Sequence, residues 1–417
     1  MELAPHFFRH ESARLVAVLG RVFGMHNLAL CEDVTQDTLC HALEVWKLHG
    51  LPENPAAWLT TAAKNRAIDV LRRQKTRSLA APELGRLLES EWTLVPVVEE
   101  LFSQRPLRDD ELSMMFSLCQ PRLPEESQIA LTLQLSCGFS VDEIAAAFFT
   151  SRAAIEKRLS RAKRVVAESR SVFRLEDADL PARLATVQRS LYLLFNEGYH
   201  GACRESPIRE ELCVEAMRLV THLVAHPLTA TPSTIALAAL LFLHAARLPA
   251  RVDPSGHLRS LFAQDRSLWN QELAREGLAL LDRSAQGDEL SAYHVEAGIA
   301  ALHVQAARAE DTPWAKIVEL YDTLMLLQPS AVVSLSRAIA IGEARGPLEG
   351  LDALRAIERG ELVDYPFYHA ALGELSLRAH HEAAAQEHFA LALSLARSPI
   401  ERQFFAERIA AAALGSA

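Results

Sequence analysis

Apolar residues recur every three or four positions along most of the chain, the spacing that gathers them on one face of an α-helix. Met1 to Gly20 threads Glu2, His6, Arg9, His10, Glu11 and Arg14 through its apolar positions, and Asn27 to Trp46 is amphipathic in the same way. Glu125 to Ser136 places Ile129, Leu131, Thr132, Leu133 and Leu135 at near-helical spacing, with Gly138 as the C-terminal stop. Ser140-Val-Asp-Glu143 is a capping box, in which serine and glutamate satisfy each other's backbone donors, and it leads into the apolar run Ile144 to Phe149. A further helix starts at Thr150 or Ser151. Its apolar positions Ala154, Ile155, Leu159, Ala162 and Val166 leave Arg152, Glu156, Lys157, Arg161 and Lys163 outward. From Leu184 onward helical segments alternate with breaks at Pro207, Pro227, Pro249 to Pro254, Gly287, Pro313, Gly346 and Pro366, and no strand-like alternation appears. The pattern predicts an all-α protein.

At 417 residues, 50% hydrophobic and 23% charged, the chain is long enough for two or more cores. The longest uninterrupted apolar run, Ile235 to Leu243, is nine residues, under half of the about 20 that span a bilayer. No membrane anchor is expected. The charged N-terminal helix is unlike a signal peptide, so a cytoplasmic location is expected. Six cysteines (Cys31, Cys40, Cys119, Cys137, Cys203 and Cys213) form no C-x-x-C pair and read as buried small hydrophobes. No cofactor and no metal is expected, because the histidines and cysteines of the second half (His200, Cys203, Cys213, His222, His226, His244) lack a local ligand spacing. No nucleophile–base pair or phosphate loop stands out, so an enzyme is the weakest class.

Charge changes the picture further. The net charge is −10, yet residues 1–175 carry 22 basic and 22 acidic side chains, so the whole excess of acid lies C-terminal to them. Lys64 to Arg77 holds six basic residues against Asp69, and Arg152 to Arg164 six against Glu156. The connector between them, Leu79 to Met114, is acidic. Two basic modules touching a polyanion, or two solvated helix faces, both fit this sorting.

The second basic stretch follows a short helix across a turn of three or four residues, the arrangement of a helix-turn-helix that seats its second helix in the DNA major groove. In that pose Arg152, Ala153, Glu156 and Lys157 meet base edges, while Arg158, Arg161 and Arg164 sit nearer phosphates. An ordinary helical hairpin is the alternative. Ahead of the first basic stretch, Pro52 and Pro55 stiffen a loop before Trp58, and the helix after it gathers Lys64, Arg66, Arg72 and Arg73.

These parts in this order resemble regions two and four of a bacterial RNA polymerase sigma factor of the extracytoplasmic-function (ECF) type. The resemblance rests on Glu32 to Leu39 (EDVTQDTL), Asn54 to Leu59 (NPAAWL), Asn65 to Arg73 (NRAIDVLRR) and the helix Ala153 to Arg164. It extends through Leu191 to Tyr199 (LYLLFNEGY), Gln264 to Asn270 (QDRSLWN) and Leu327 to Ala340 to the group with a fused C-terminal tetratricopeptide-like domain. The resemblance implies region two over residues 1–78, an acidic linker over 79–114, region four over 115–175 and a TPR-like helical domain over 184–417. It implies no active site, and as partners core RNA polymerase, through its clamp coiled coil and flap, and promoter DNA.

Residue by residue, it implies that Asp33, Gln36, Asp37 and Leu39 dock on the clamp. Asn54, Pro55 and Trp58 would form a pocket for an extruded base of the minus-ten element, with Lys64, Arg66, Arg72 and Arg73 on the freed backbone. Trp58 could equally be a core aromatic beneath the loop. Arg152, Ala153, Glu156, Lys157, Arg158, Arg161 and Arg164 would face the minus-thirty-five element. Members of this group commonly carry two cysteines and a histidine where this chain has Ser117-Leu118-Cys119-Gln120-Pro121, and Glu156 puts an acid where many sigma factors have a basic or neutral residue.

In the acidic half, Gly373, Ala385, Phe389 and Ala392 keep the spacing at which paired helices of a tetratricopeptide repeat nest, and Tyr321 with Pro329 ends an earlier repeat. Such stacks form a groove suited to a peptide or protein partner. Asn196, Glu197 and Tyr199 either tie this half to the first or form an internal helix-terminus network. Two functions from other classes compete: a helix-turn-helix regulator with a helical sensor domain, acting without replacing sigma, and a peptide-binding scaffold.

Overall fold

The computed structural model describes residues 7–79, 107–120, 122–148, 150–168, 180–200, 208–254, 257–357, 362–396 and 399–414. Most of the acidic linker, together with Pro121, Phe149, Cys203 and Pro207, lies outside them. Eighteen helices account for the described fold, and its one β-feature is an isolated bridge between Val252 and Leu258. The all-α expectation holds. Helix packing divides the chain into two compact units, Met1–Leu194 and Phe195–Ala417. The division falls within a helix, Leu180–His200, and not in the break expected between residues 175 and 184.

The first unit contains α1 (Phe7–Phe23), α2 (Leu28–His49), α3 (Pro55–Leu79), α4 (Leu107–Leu118), α5 (Glu125–Leu135), α6 (Val141–Ala147), α7 (Arg152–Glu168) and the start of α8 (Leu180–His200). Leu15, Leu39, Ala42, Trp46, Leu59 and Ala63 form a core between α1, α2 and α3, edged by Phe7, Phe8 and Trp58. The other face of α1 packs on α4, whose Met115, Phe116 and Leu118 are fully buried. Although it carries Ser127, Gln128 and Thr132, α5 is buried along most of its length, from Ser127 to Leu133 and again at Leu135. The capping box forms as its sequence dictates: Ser140 N–H donates to Glu143 Oε2 at 2.6 Å, and Glu143 N–H to Ser140 Oγ at 3.2 Å. Along α7 the buried stripe is Ile155, Leu159, Ala162 and Val166. Ala154 is exposed, contrary to expectation, because those four residues already fill the inward face.

The second unit continues with α9 (Glu210–Ala225), α10 (Pro232–Ala245), α11 (Gln271–Ser284), α12 (Ala292–Gln305), α13 (Trp314–Leu327), α14 (Ala331–Arg345), α15 (Pro347–Arg355), α16 (Pro366–Arg378), α17 (Glu382–Leu395) and α18 (Pro399–Leu414), each packed chiefly on its neighbours in sequence. Small residues set how closely these helices approach. A Cβ on Gly277 would stand 2.8 Å from Leu243, one on Gly373 2.8 Å from the Phe389 ring, and one on Gly350 2.7 Å from the Gly342 Cα. Gly373 against Phe389, with Ala385 and Ala392 buried, realises the spacing seen in the sequence. Thr231 caps α10 by accepting from Thr234 N–H, with Pro232 in the first turn. The stretch Pro232–Ala250 is 19 residues, long and apolar enough to cross a bilayer by length and composition alone. Yet 83% of that window is buried in the protein, as befits a core helix that is hydrophobic all round.

Three cysteines are inert for a physical reason. Burial pushes the thiols of Cys31, Cys119 and Cys213 up to about 12. Cys40, expected to be buried, is exposed on α2. With an alkylating reagent at about pH 8, Cys40 should label in the folded protein while Cys31, Cys119 and Cys213 stay protonated and protected until denaturant is added, as peptide mass spectrometry would read. In the second unit Gly350→Ala should cost about 1–3 kcal/mol by urea unfolding, because its Cβ meets backbone. Gly298→Ala has an ordinary 3.5 Å contact with Leu320. It should be neutral or up to about 1 kcal/mol stabilising, through helix propensity.

Candidate nucleic-acid interface

The first basic surface starts at the loop after α2. Asn54 caps α3: its Oδ1 accepts from Ala57 N–H at 3.0 Å and its carbonyl from Trp58 N–H at 3.1 Å. Pro55, whose missing N–H costs nothing in a first turn, is buried beside it. Trp58 is part-buried, edge-on to Trp46 at 5.5 Å and beside His41 at 5.8 Å, contacts that belong to a core-edge aromatic. Beyond it, Arg66, Arg72 and Arg73 stand exposed on α3 and Lys64 is half-buried. Arg66 ion-pairs with Asp37 of α2, and Arg72 lies 3.8 Å from Asp69. Both pairs are solvent-exposed, where such contacts contribute at most about 1 kcal/mol and yield readily to a phosphate. Asp33, Gln36 and Asp37 form an exposed polar strip on α2. Leu39 does not join it: the side chain is buried in the α1–α2–α3 core, because it faces away from Gln36 and Asp37 and into the bundle.

The second surface is the N-terminal end of α7, which follows α6 across residues 148–151. Ser151 Oγ accepts from Ala154 N–H at 3.3 Å and opens the helix. Arg152, Ala153, Glu156, Lys157, Arg161 and Arg164 are exposed. Arg152 donates to Glu156 at 2.8 Å and to Asp142 at 2.5 Å, and these partners, the Glu156 hydrogen bond first, raise its guanidinium above the ordinary arginine value. Two cations of this stretch, one assigned outward and one placed near phosphate, are half-buried. Arg158, expected near phosphate, pairs with Glu126 of α5 at 2.7 Å and lies 5.4 Å over the Phe148 ring. Lys163 pairs with Glu32 of α2 at 2.6 Å.

Contacts at long sequence separation hold the two surfaces in one unit. Arg9 of α1 donates to Glu143 at 3.0 Å and covers the Phe139 ring at 5.8 Å. Gly138, at φ +67, lets this happen, since a Cβ there would fall 2.5 Å from Arg9 Cγ. The pairing of Arg9 and of Glu32 is not visible in the sequence, because their partners are more than 130 positions away.

In the second unit, Glu197 lies 4.0 Å from Arg209, which also approaches Glu211 at 3.4 Å, and Arg209 N–H donates to the Gly198 carbonyl at 2.8 Å. Tyr199 is buried, stacked on Phe195 at 5.6 Å and beneath Arg251 at 3.9 Å. Asn196 is half-buried on the same turn. For Glu197 and Tyr199 these are contacts of an internal helix-terminus network. Among the described residues, no three His, Cys, Asp or Glu side chains are grouped to hold a metal ion.

Residues 7–77, which span α1 to α3, match sigma-70 region 2. Residues 183–285 match a family of unknown function (DUF6596). The chain is 37% identical over 397 residues to the uncharacterized protein R00370 of Rhizobium meliloti (strain 1021), an alignment covering 94% of this chain and 92% of that one. No solved structure matches it.

Glu143 serves both the capping box and the tie to α1, whereas Asp142 makes only an exposed pair. Glu143→Ala should therefore lower stability by about 1–2 kcal/mol in thermal or urea unfolding. Asp142→Ala should change it by less than about 0.5 kcal/mol.

Proposed function

Because residues 7–77 match sigma-70 region 2 and the chain belongs to the same full-length family as the Rhizobium protein, we propose that it is an ECF-type sigma factor whose C-terminal helical unit regulates it in cis. The observation that carries this reading is the region 2 match falling on the three helices that expose the polar strip of α2 and the basic face of α3. Sigma-70 proteins are initiation factors and not enzymes. They supply promoter recognition and strand opening to the polymerase, and action on DNA places this chain in the cytoplasm.

In this reading Asp33, Gln36 and Asp37 dock on the clamp coiled coil, and Leu39 keeps their helix in register from beneath. Lys64, Arg66, Arg72 and Arg73 follow the backbone of the opened minus-ten strand, while Asn54, Pro55 and Trp58 shape the loop beside it. The exposed end of α7 enters the major groove of the minus-thirty-five element as the second helix of a helix-turn-helix, next to the polymerase flap. Arg152, Ala153, Glu156 and Lys157 face bases there, Arg161 and Arg164 face phosphates, and Arg158 braces the helix. In the second unit the nested pair α16–α17 supports a TPR-like fold, and its groove suits a peptide or protein partner that sets the regulatory state. Asn196, Glu197 and Tyr199 act in this regulation by fixing the terminus of α8 against α9.

The deciding experiment is in vitro transcription with purified core RNA polymerase, comparing the full chain with a chain ending at Leu194. Promoter-specific initiation is expected, with a yield that differs between the two forms. Tight duplex binding without initiation would favour a regulator that uses only the helix-turn-helix. Arg152→Ala should cost about 1–3 kcal/mol of promoter binding and relax specificity, whereas Arg161→Ala should chiefly reduce the salt slope by about one. Asp142→Asn frees Arg152 from one of its carboxylates, so it should tighten promoter binding in a filter or fluorescence assay.

A further inference from the structure

The second unit buries positive charge without pairing it. Arg247, at the end of α10, is only 7% exposed. Its guanidinium carbon lies 5.6 Å from the centre of the Trp269 ring, and that of Arg266 lies 4.9 Å from the centre of the same ring. Arg251, one turn beyond Arg247, lies 3.9 Å over Tyr199. Arg266 is held by the carbonyls of His303 and Ala306, each at 2.7 Å, and by Thr312 Oγ1 at 3.2 Å. Arg247 has no such acceptor. Among the described residues, none of the three arginines ion-pairs with a carboxylate. The buried Nε atoms of all three, and those of Trp269 Nε1 and His303 Nδ1, have no hydrogen-bond partner.

This contrasts with the rest of the fold. Arg209, buried to a similar degree, is set between Glu197 and Glu211. At Arg247 the neighbouring charges repel. Burial, then Arg251, hold its guanidinium below the usual arginine value, and burial, then Arg247, do the same to Arg266. His303 is pushed down to about 3 by burial and by Arg247 and Arg266, so it stays neutral and adds no charge. Of the acidic groups nearby, Asp311 pairs with Arg308 and, with Glu310, attracts Arg266 from a distance, and Glu296 lies near Tyr321. Attraction to the faces of Trp269 and Tyr199 offsets only part of the cost of desolvating these cations.

We propose that Arg247, Arg251 and Arg266, with Tyr199, Trp269 and His303 around them, form a binding site for a small molecule bearing an oxyanion, a carboxylate or a phosphate. Guanidinium groups bind both through paired N–H donors. Arg247 supplies the buried charge, and the half-buried Arg251 and Arg266 supply the rim. Arg247 is only 7% exposed, too little for a polypeptide chain to reach it, so the ligand is small. The site lies wholly in the second unit and does not depend on the promoter reading.

The test uses the full-length protein with inorganic phosphate and succinate as probes, at constant ionic strength, by calorimetry and thermal unfolding. One saturable site per chain is expected for at least one probe, with the unfolding temperature raised by about 5 °C at a hundredfold excess over Kd. Phosphate alone would identify a phosphoryl ligand, succinate alone a carboxylate ligand. Arg247→Met should weaken binding at least about tenfold and leave the unliganded unfolding temperature unchanged or raised, since it removes an unpaired buried charge. Arg355→Met, at an exposed ion pair, should alter neither. Should Arg247→Met fail to fold, Arg251→Gln must show the same loss of binding. The proposal is overturned if neither probe binds more tightly than about 10 mM, or if binding survives these substitutions.

Discussion

How closely two helices can approach decides most of this architecture. A helix pair buries its apolar stripes fully only where small residues let one backbone settle against the next, and the second unit meets that condition repeatedly. Gly277 lies under Leu243, Gly342 lies against Gly350, and Gly373 receives the Phe389 ring. Gly198 plays the same part in LYLLFNEGY, where a Cβ would meet the Arg209 carbonyl and the Cys213 sulfur at 2.8 Å. Glycine weakens an isolated helix by up to about 1 kcal/mol, so its use inside these helices is repaid only by the packing it permits.

In the first unit the organising force is different. Some of its basic side chains on the candidate surfaces carry an exposed carboxylate partner: Arg66 has Asp37, and Arg152 has Asp142 and Glu156. Exposed pairs of this kind are weak and exchangeable, which suits residues that must trade a carboxylate for a phosphate. The more buried ties, Arg9 with Glu143 and Lys163 with Glu32, instead position the short helices against α1 and α2. One charge chemistry thus does two jobs, separated by exposure. The arginines of the second unit show the limiting case, a buried cation for which the fold provides aromatic faces and carbonyls but no carboxylate.

Much of this was legible in the sequence because it is local. Helical periodicity, the Ser140–Glu143 box and the glycine–phenylalanine spacing of α16 and α17 each depend on residues within about twenty positions of one another. The failures share a cause as well. Leu39 reads as part of an acidic binding strip until its neighbours in α1 and α3 are placed around it. Arg158 and Lys163 read as solvent-facing cations until Glu126 and Glu32 arrive opposite them. Cys40 reads as buried because its residue type usually is.

The sequence by itself determined the all-helical class and the two basic stretches, since these follow from side-chain period and composition along a single segment. Only the tertiary structure decided which cations remain available to a polyanion, which are spent on internal carboxylates, and which are buried unpaired beside Trp269. Ion pairing and desolvation depend on distances in space between residues that the chain order keeps far apart, and no local pattern encodes them.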